Sequence, residues 1–185
     1  HTTRRDAFKA INALPIARVS VDGKIHFLDK QAYQPPKGAK LNPAIKMEEK
    51  VAIIRTYPNF CPDLINLLSE KGYKGCVFEV TGLGQAPTNI KDNLLNYEAL
   101  KRFIQTGGIV LLTSQCIHGR VHPHVYTNCR RLARIGVIFA EDMITETAYI
   151  KLAWLLGNQP KKTSSLLTKN LRGEINERTQ VDYYP

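Results

Sequence analysis

The chain has 185 residues, 43% of them apolar, 23% charged and 8% aromatic, which is ordinary for a globular protein and suits one domain, or one domain with part of another. Lys and Arg total 26 against 16 Asp and Glu, giving a net charge of +10, but they are scattered, so a solvated basic surface is favoured over a dedicated polyanion site. No apolar run approaches the roughly 20 residues needed to span a bilayer, and no N-terminal signal pattern suggests secretion.

The chain opens on His1, and its first residues do not resemble an expression tag, so it is expected to be part of a longer polypeptide. Residues 1–12 read as a loop leading into a short helical turn. Ile16 to Val21 and Lys24 to Leu28 flank Asp22-Gly23, which predicts a hairpin closed by a two-residue type I′ turn. From Asp29 to Glu49, Pro35-Pro36, Gly38 and Pro43 with few apolar residues predict an extended linker and a domain boundary.

Strands and helices then alternate. Val51 to Thr56 reads as a strand. Pro62 and Gly72 bracket a helix with Leu64, Ile65 and Leu68 on one face. Gly75 to Val80 is the second strand, and Ile90, Leu94, Tyr97, Leu100 and Ile104 recur at helical spacing up to Gly107-Gly108. Ile109 to Leu112 is the third strand, followed by a helix around Val125 to Arg134. Val137 to Phe139 is a short fourth strand. Met143 to Leu156 is a helix capped by Gly157, and a last helix over about Lys162 to Leu171 leads to a polar tail. Four strands separated by helices predict an α/β fold: a four-stranded parallel sheet with helices on both faces, preceded by the hairpin. Ligands in such folds sit beyond the carboxyl ends of the strands, which here are residues 57–60, 81–87, 113–126 and 140–142.

Each polar cluster at those ends admits a chemical reading and a plainer one. Thr81-Gly-Leu-Gly-Gln-Ala-Pro87 follows a strand, but lacks the third glycine of a dinucleotide fingerprint and the Lys of a P-loop, so a tight turn is favoured over a phosphate cradle. His118, His122 and His124 invite a metal, yet Gly119 and Pro123 break any helical face and no acid lies among them; no metal is expected. Cys116 with His118 as base is not a recognisable nucleophile arrangement, and reduced thiols in a cytoplasmic protein are the simpler expectation for Cys61, Cys76, Cys116 and Cys129, which form no Cys-x-x-Cys pair. Glu141, Asp142 and Glu146 sit where acids favour a helix N-terminus, and capping is preferred to a catalytic pair. Arg130, Arg131 and Arg134 are the best local candidates for a phosphate contact. No complete catalytic set emerges.

These same loops carry a resemblance. Residues 81–87, Thr-Ser-Gln-Cys-Ile-His-Gly-Arg-Val at 113–121, Gly-Val-Ile-Phe-Ala-Glu-Asp-Met at 136–143, Glu-Thr-Ala-Tyr-Ile-Lys-Leu from 146 and Asn-Leu-Arg-Gly-Glu-Ile at 170–175 resemble the C-terminal domain of the asparaginase/glutaminase superfamily. Within it, His-Thr-Thr-Arg-Arg-Asp-Ala-Phe at 1–8 and Ile-Ala-Arg-Val at 16–19 resemble the D subunits of archaeal Glu-tRNA(Gln) amidotransferases. The resemblance implies that residues 1–28 end an N-terminal asparaginase-like domain, 29–49 link, and 50–185 form the asparaginase-like C-terminal domain.

It also implies a glutaminase. A threonine attacks the glutamine side-chain amide, aided by a Thr-Asp-Lys group, and a partner, the E subunit, uses ATP and magnesium to amidate Glu-tRNA(Gln) with the ammonia released. Those catalytic residues are expected upstream of His1, so none is assigned here and this chain alone is expected to be inactive, with no cofactor of its own. The family pattern implies a homodimer in which the C-terminal domain completes a neighbour's site, within a D–E heterotetramer, with Thr81, Gln85, Ser114 and Tyr126 as substrate-binding positions. The chain departs from that pattern at Val80, at Gln85-Ala86 for His-Val, at His122-Pro123-His124 for Asn-Met-Asn, at Phe139-Ala140 for Pro-Gly, and at Cys129 for Gly, so the crevice is expected to differ in detail. A cytosolic L-asparaginase fragment and a non-catalytic basic binding module are the alternatives.

Overall fold

The computed structural model describes residues 3, 8–30, 32, 34, 37–38, 40–41 and 43–179. The expectations for the remainder of 1–7 and of 29–49, and for the last six residues, lie outside the described residues.

The hairpin forms, with β1 (Ala17–Val19) antiparallel to β2 (Ile25–Phe27). Its turn is not the predicted two-residue type. Ser20 N–H donates to Lys24 O and Gly23 N–H to Ser20 O, and only Gly23 has positive φ. That is a three-residue loop ending in a left-handed glycine, which needs a positive φ at Gly but none at Asp22. No helical turn precedes the hairpin in residues 8–15.

The main sheet runs β3 (Val51–Arg55), β4 (Gly75–Val80), β5 (Ile109–Ser114) and β6 (Ile138–Phe139), all parallel and in sequential order. A sheet wound steadily in one direction by right-handed crossovers places every crossover helix on one face. Accordingly α1 (Asp63–Glu70), α2 (Leu94–Gln105) and α3 (Thr127–Arg134) cover a core of Phe78, Val80, Leu100, Phe103, Leu112 and Leu132. After β6 the chain passes to the other face, where α4 (Thr145–Asn158) and the short α5 (Thr163–Leu167) bury Val77, Leu111, Leu152, Leu155 and Leu167. Strand alternation serves both layers: Cys76, Phe78 and Val80 point to the first core and Val77 to the second.

Each crossover helix ends alike. Tyr73, Gly108 and Val137 N–H groups reach back to Leu68, Phe103 and Leu132 carbonyls, with Gly72, Gly107 and Gly136 left-handed between them, the closure that makes glycine the readable stop signal.

Four expectations are corrected. In α1, Leu64 is 40% exposed while Ile65 and Leu68 are buried. The buried stripe of α2 is Asn96, Ala99, Leu100 and Phe103, with Ile90 and Leu94 exposed. The polar Asn96 hides that stripe from a hydrophobicity pattern; its amide donates to Phe60 O and Pro87 O, tying two loops to the helix. Gly157 lies inside α4, not at its cap: a Cβ there would stand 2.6 Å from Lys46 O. Its role is close approach, because residues 44–48 run along α4, held by Trp154 Nε1 to Ala44 O, Asn158 Nδ2 to Lys46 O and Glu48 N to Ala153 O. Finally, the segment after α5 is no solvated tail. The last helix stops at Leu167, and the chain then folds back to bury Ile175 in the second core. There Glu174 accepts the Leu171 and Arg172 N–H groups and meets Lys151 Nζ at 2.6 Å.

Candidate functional site

A cleft of about 390 Å³ opens at the carboxyl ends of β3, β4 and β5, lined by Thr56, Tyr57, Thr81, Gln85, Pro87 and Gln115 among others. This is where a parallel sheet presents its ligands. The loop after β4 closes on itself: Thr81 N–H and Oγ1 donate to Gln85 O at 3.1 and 3.0 Å, and Gly84 and Gln85 N–H groups donate to Thr81 O. Those donors are spent inside the turn, so the loop forms no phosphate cradle. The Gln85 side chain folds over Gly82, where a Cβ would stand 2.8 Å from Oε1, and its amide makes no hydrogen bond among the described residues.

Gln115, at the end of β5, spans the floor of the cleft. Its Nε2 donates to Thr56 O at 2.7 Å and to Thr56 Oγ1 at 3.3 Å, and Arg55 reaches its Oε1 at 3.5 Å. A polar chain runs inward beside it from the exposed Arg55: Arg55 pairs with Glu79 at 3.5 Å, Thr145 Oγ1 donates to Glu79 Oε1, and the hydroxyls of Thr113 and Thr145 meet at 2.9 Å. Ser114 Oγ donates to Gly82 O at 2.7 Å and accepts the Cys116 N–H, joining the two loops. From the other side α3 grips residues 84–88. Asn128 donates to Ala86 O, Thr88 donates to Asn128 Oδ1, and the buried Cys129 thiol lies 3.4 Å from Gly84 O.

Of the four residues chosen from the sequence as substrate contacts, the structure brings Thr81 and Gln85 into one cleft and sets Ser114 beside it as a tie between loops. Tyr126, at the start of α3 and 48% exposed, does not line it. Sequence reading passed over Gln115 and Thr56; the signal available was a polar residue directly at each strand's carboxyl end.

Chemically the cleft offers amides and hydroxyls. Both lining threonines, Thr56 and Thr81, donate their hydroxyls to main-chain carbonyls, and neither contacts a base among the described residues. A threonine so engaged has no group among the described residues to take its proton. In the histidine loop His124 N–H donates to His122 Nδ1 and the two rings meet edge to face at 5.8 Å; among the described residues no group of three or more potential metal ligands is assembled. All four cysteines are free. Burial pushes the Cys76 thiol up to about 12 and raises that of Cys129, which makes both inert.

Two of the three arginines of α3 have partners within the chain. Arg130 folds back to His124 O and Thr127, while Arg131 stacks over the Tyr97 ring at 4.7 Å. Glu141 and Asp142 do not cap α4, whose N-cap is Ile144 without a side-chain bond; only Glu146 lies in its first turn. Glu141 and Asp142 pair instead with Arg120, at 3.4 and 3.8 Å.

The profile of the "Glutaminase/Asparaginase C-terminal domain" family matches residues 50–165, the span from the first strand of the parallel sheet into α5. The chain belongs to this family. Over its full length it is 43% identical to the D subunit of the glutamyl-tRNA(Gln) amidotransferase of Pyrococcus furiosus, 42% to that of Thermococcus kodakarensis and 41% to that of Methanothermobacter thermautotrophicus. In each case it spans 41% of the relative's length. Among solved structures it resembles the thermostable L-asparaginase of Thermococcus kodakarensis, with a TM-score of 0.80 and 27% identity over 95% of this chain and 52% of that one. L-asparaginase I of Vibrio cholerae gives 0.76 and 26% over 95% and 53%.

Proposed function

We propose that this chain is the cleft-forming part of the glutaminase subunit of a tRNA-dependent amidotransferase. The observation that carries the reading is its identity of 41–43% to archaeal D subunits along its whole length, through the N-terminal hairpin as well as the family domain. The geometry agrees: Thr81, Gln85 and Gln115 offer hydrogen-bonding groups to a substrate amino acid, and the described residues bring no nucleophile and base together there.

In this reading residues 1–28 complete an N-terminal asparaginase-like domain, 29–49 link, and 50–185 form the C-terminal domain. A threonine supplied from outside these residues attacks the glutamine amide, and Thr81, Gln85, Ser114 and Tyr126 act as substrate or intersubunit contacts in a homodimer. The ammonia passes to an E subunit that amidates Glu-tRNA(Gln) with ATP and magnesium, within a cytoplasmic D–E heterotetramer. No helix among the described residues is long and apolar enough to cross a membrane.

Steady-state ammonia release from glutamine by the full-length polypeptide with its partner, and none from residues 1–185 alone, is the expected result. Turnover of glutamine by the 185-residue chain itself overturns it. The L-asparaginase neighbours favour a second reading, hydrolysis of free asparagine. A kcat/KM for asparagine above that for glutamine in the full-length protein selects it.

A further inference from the structure

Behind the cleft, four distant stretches of chain meet at one polar junction. Asn12 is held with φ +55, and its side chain pairs with Gly119 much as a neighbouring strand would: Nδ2 donates to Gly119 O at 3.1 Å and Oδ1 accepts the Gly119 N–H at 2.9 Å. The same Nδ2 donates to Asp142 O at 2.8 Å. From the segment beyond α5, Asn176 N–H donates to Asp142 Oδ1 at 3.1 Å, and its Nδ2 donates to Asn12 O and to Asp142 Oδ2. Arg120, 18% exposed, reaches Glu141, Asp142 and the carbonyls of Asn176 and Glu177. Its Nε is buried without a partner among the described residues.

The junction is attached directly to the cleft. Val121 N–H donates to Glu141 O, and Glu141 is itself left-handed at φ +60; His122 N–H donates to Leu83 O inside the loop that carries Gln85. Ser114 and Gln115 stand at the other end of residues 114–122, the stretch that carries Val121 and His122. Two non-glycine residues in the left-handed region persist only where surrounding contacts over-determine them.

We propose that Arg120 and Asn176 are positioning residues for the cleft, fixing residues 114–122 against the Gln85 loop and against the segment that carries Asn12. Neither lines the cleft, so neither touches substrate. They act through the placement of Gln115, Ser114 and Gln85, and through them the N-terminal segment holds a fixed register to the binding groups. This rests on the glutaminase reading above.

The test is steady-state ammonia release by the full-length polypeptide with its partner subunit, over a range of glutamine concentrations, for wild type, Arg120→Ala, Arg120→Lys and Asn176→Ala, with Tm measured for each. Displacing the loop is expected to raise KM on the order of tenfold in Arg120→Ala and Asn176→Ala, with partial recovery in Arg120→Lys, since small misplacements of positioning groups are costly. Loss of folded protein alone lowers the apparent kcat and leaves KM unchanged, and that outcome overturns the proposal, as does no change in either constant. Should Arg120→Ala fail to fold, the other two variants carry the test. A wild type that releases no ammonia overturns the glutaminase reading and this proposal with it; an active wild type whose variants keep its KM overturns this proposal alone.

Discussion

Replacing Glu174 by Gln removes the negative half of an ion pair whose lysine has almost no access to water. The Lys151 and Glu174 side chains are 6% and 14% exposed, with 2.6 Å between Nζ and Oε1. Removing one partner of a buried pair strands the other charge, at a cost of about 3–5 kcal/mol. Lys151 keeps its bond to Lys169 O at 2.6 Å, and a glutamine oxygen still accepts one backbone N–H, so the lower end, about 3 kcal/mol, is the expected loss. At about 2–4 °C per kcal/mol for a chain of this size, Tm falls by roughly 6–12 °C. Thermal unfolding of purified wild type and Glu174→Gln, followed by circular dichroism at neutral pH, reads this directly. The pH dependence gives an independent sign. Burial pushes the Glu174 carboxyl up, but the Lys151 ammonium and the N–H groups of Arg172 and Leu171 together outweigh it and hold it below its ordinary 4.5. A carboxyl depressed on folding stabilises the protein above its unfolded value, and that contribution is lost as pH falls through the lower folded value. The gap in Tm between wild type and variant is therefore widest near neutrality and closes below about pH 4.5. A gap of less than about 2 °C at pH 7, or one that widens on acidification, refutes the reasoning.

Gly157→Ala forces a methyl against Lys46 O and is expected to cost about 1–3 kcal/mol. Because Trp154, the single tryptophan, bonds Ala44 O on that same segment, its fluorescence should shift to the red as the segment lifts; unchanged emission and Tm argue against the close-approach role. Thiol labelling of the native protein should be fast at exposed Cys116 and negligible at buried Cys76 and Cys129, and Cys116→Ser should remove the fast phase while leaving ammonia release intact. Loss of activity in Cys116→Ser would reinstate the thiol as a nucleophile. Gln85→Ala is expected to lower kcat/KM for glutamine in the full-length protein by roughly two- to tenfold, the worth of one hydrogen-bonding amide; equal kinetics would remove Gln85 from the binding set.

The layers of this fold were legible because they rest on local signals. Buried strands such as Ile109 to Leu112 read as apolar runs, and Gly72, Gly107 and Gly136 marked helix ends that only a left-handed residue closes. The carboxyl-edge rule then located the cleft, and the motif at 81–87 supplied Thr81 and Gln85. What failed was non-local. Asn96 faces the core because of carbonyls contributed by Phe60 and Pro87, and no periodicity shows that. Glu141 and Asp142 precede a helix and look like caps, yet Arg120 and Asn176, more than twenty and thirty residues away in sequence, claim their carboxylates. Two of the three α3 arginines have partners that spacing does not reveal: Arg130 bonds His124 O and Thr127, and Arg131 lies over the Tyr97 ring. The segment beyond Leu171 reads only as polar because no local pattern shows that Glu174 is spent internally, on Lys151 and on backbone N–H groups.

The contact between Asn12 and Asn176 spans 164 residues. In a sheet whose strands add one neighbour at a time, most of the architecture can assemble from adjacent stretches of chain, but this knot cannot. Closing so long a loop carries an entropic cost that local pairing does not repay, which places it late among folding events. Until it closes, Arg120 and Asp142 keep their charges without the main-chain groups of residues 176 and 177 that satisfy them. The binding loop is thus expected to take its final shape only once the chain between Asn12 and Asn176 is folded, so that competence at the cleft reports completion of the whole.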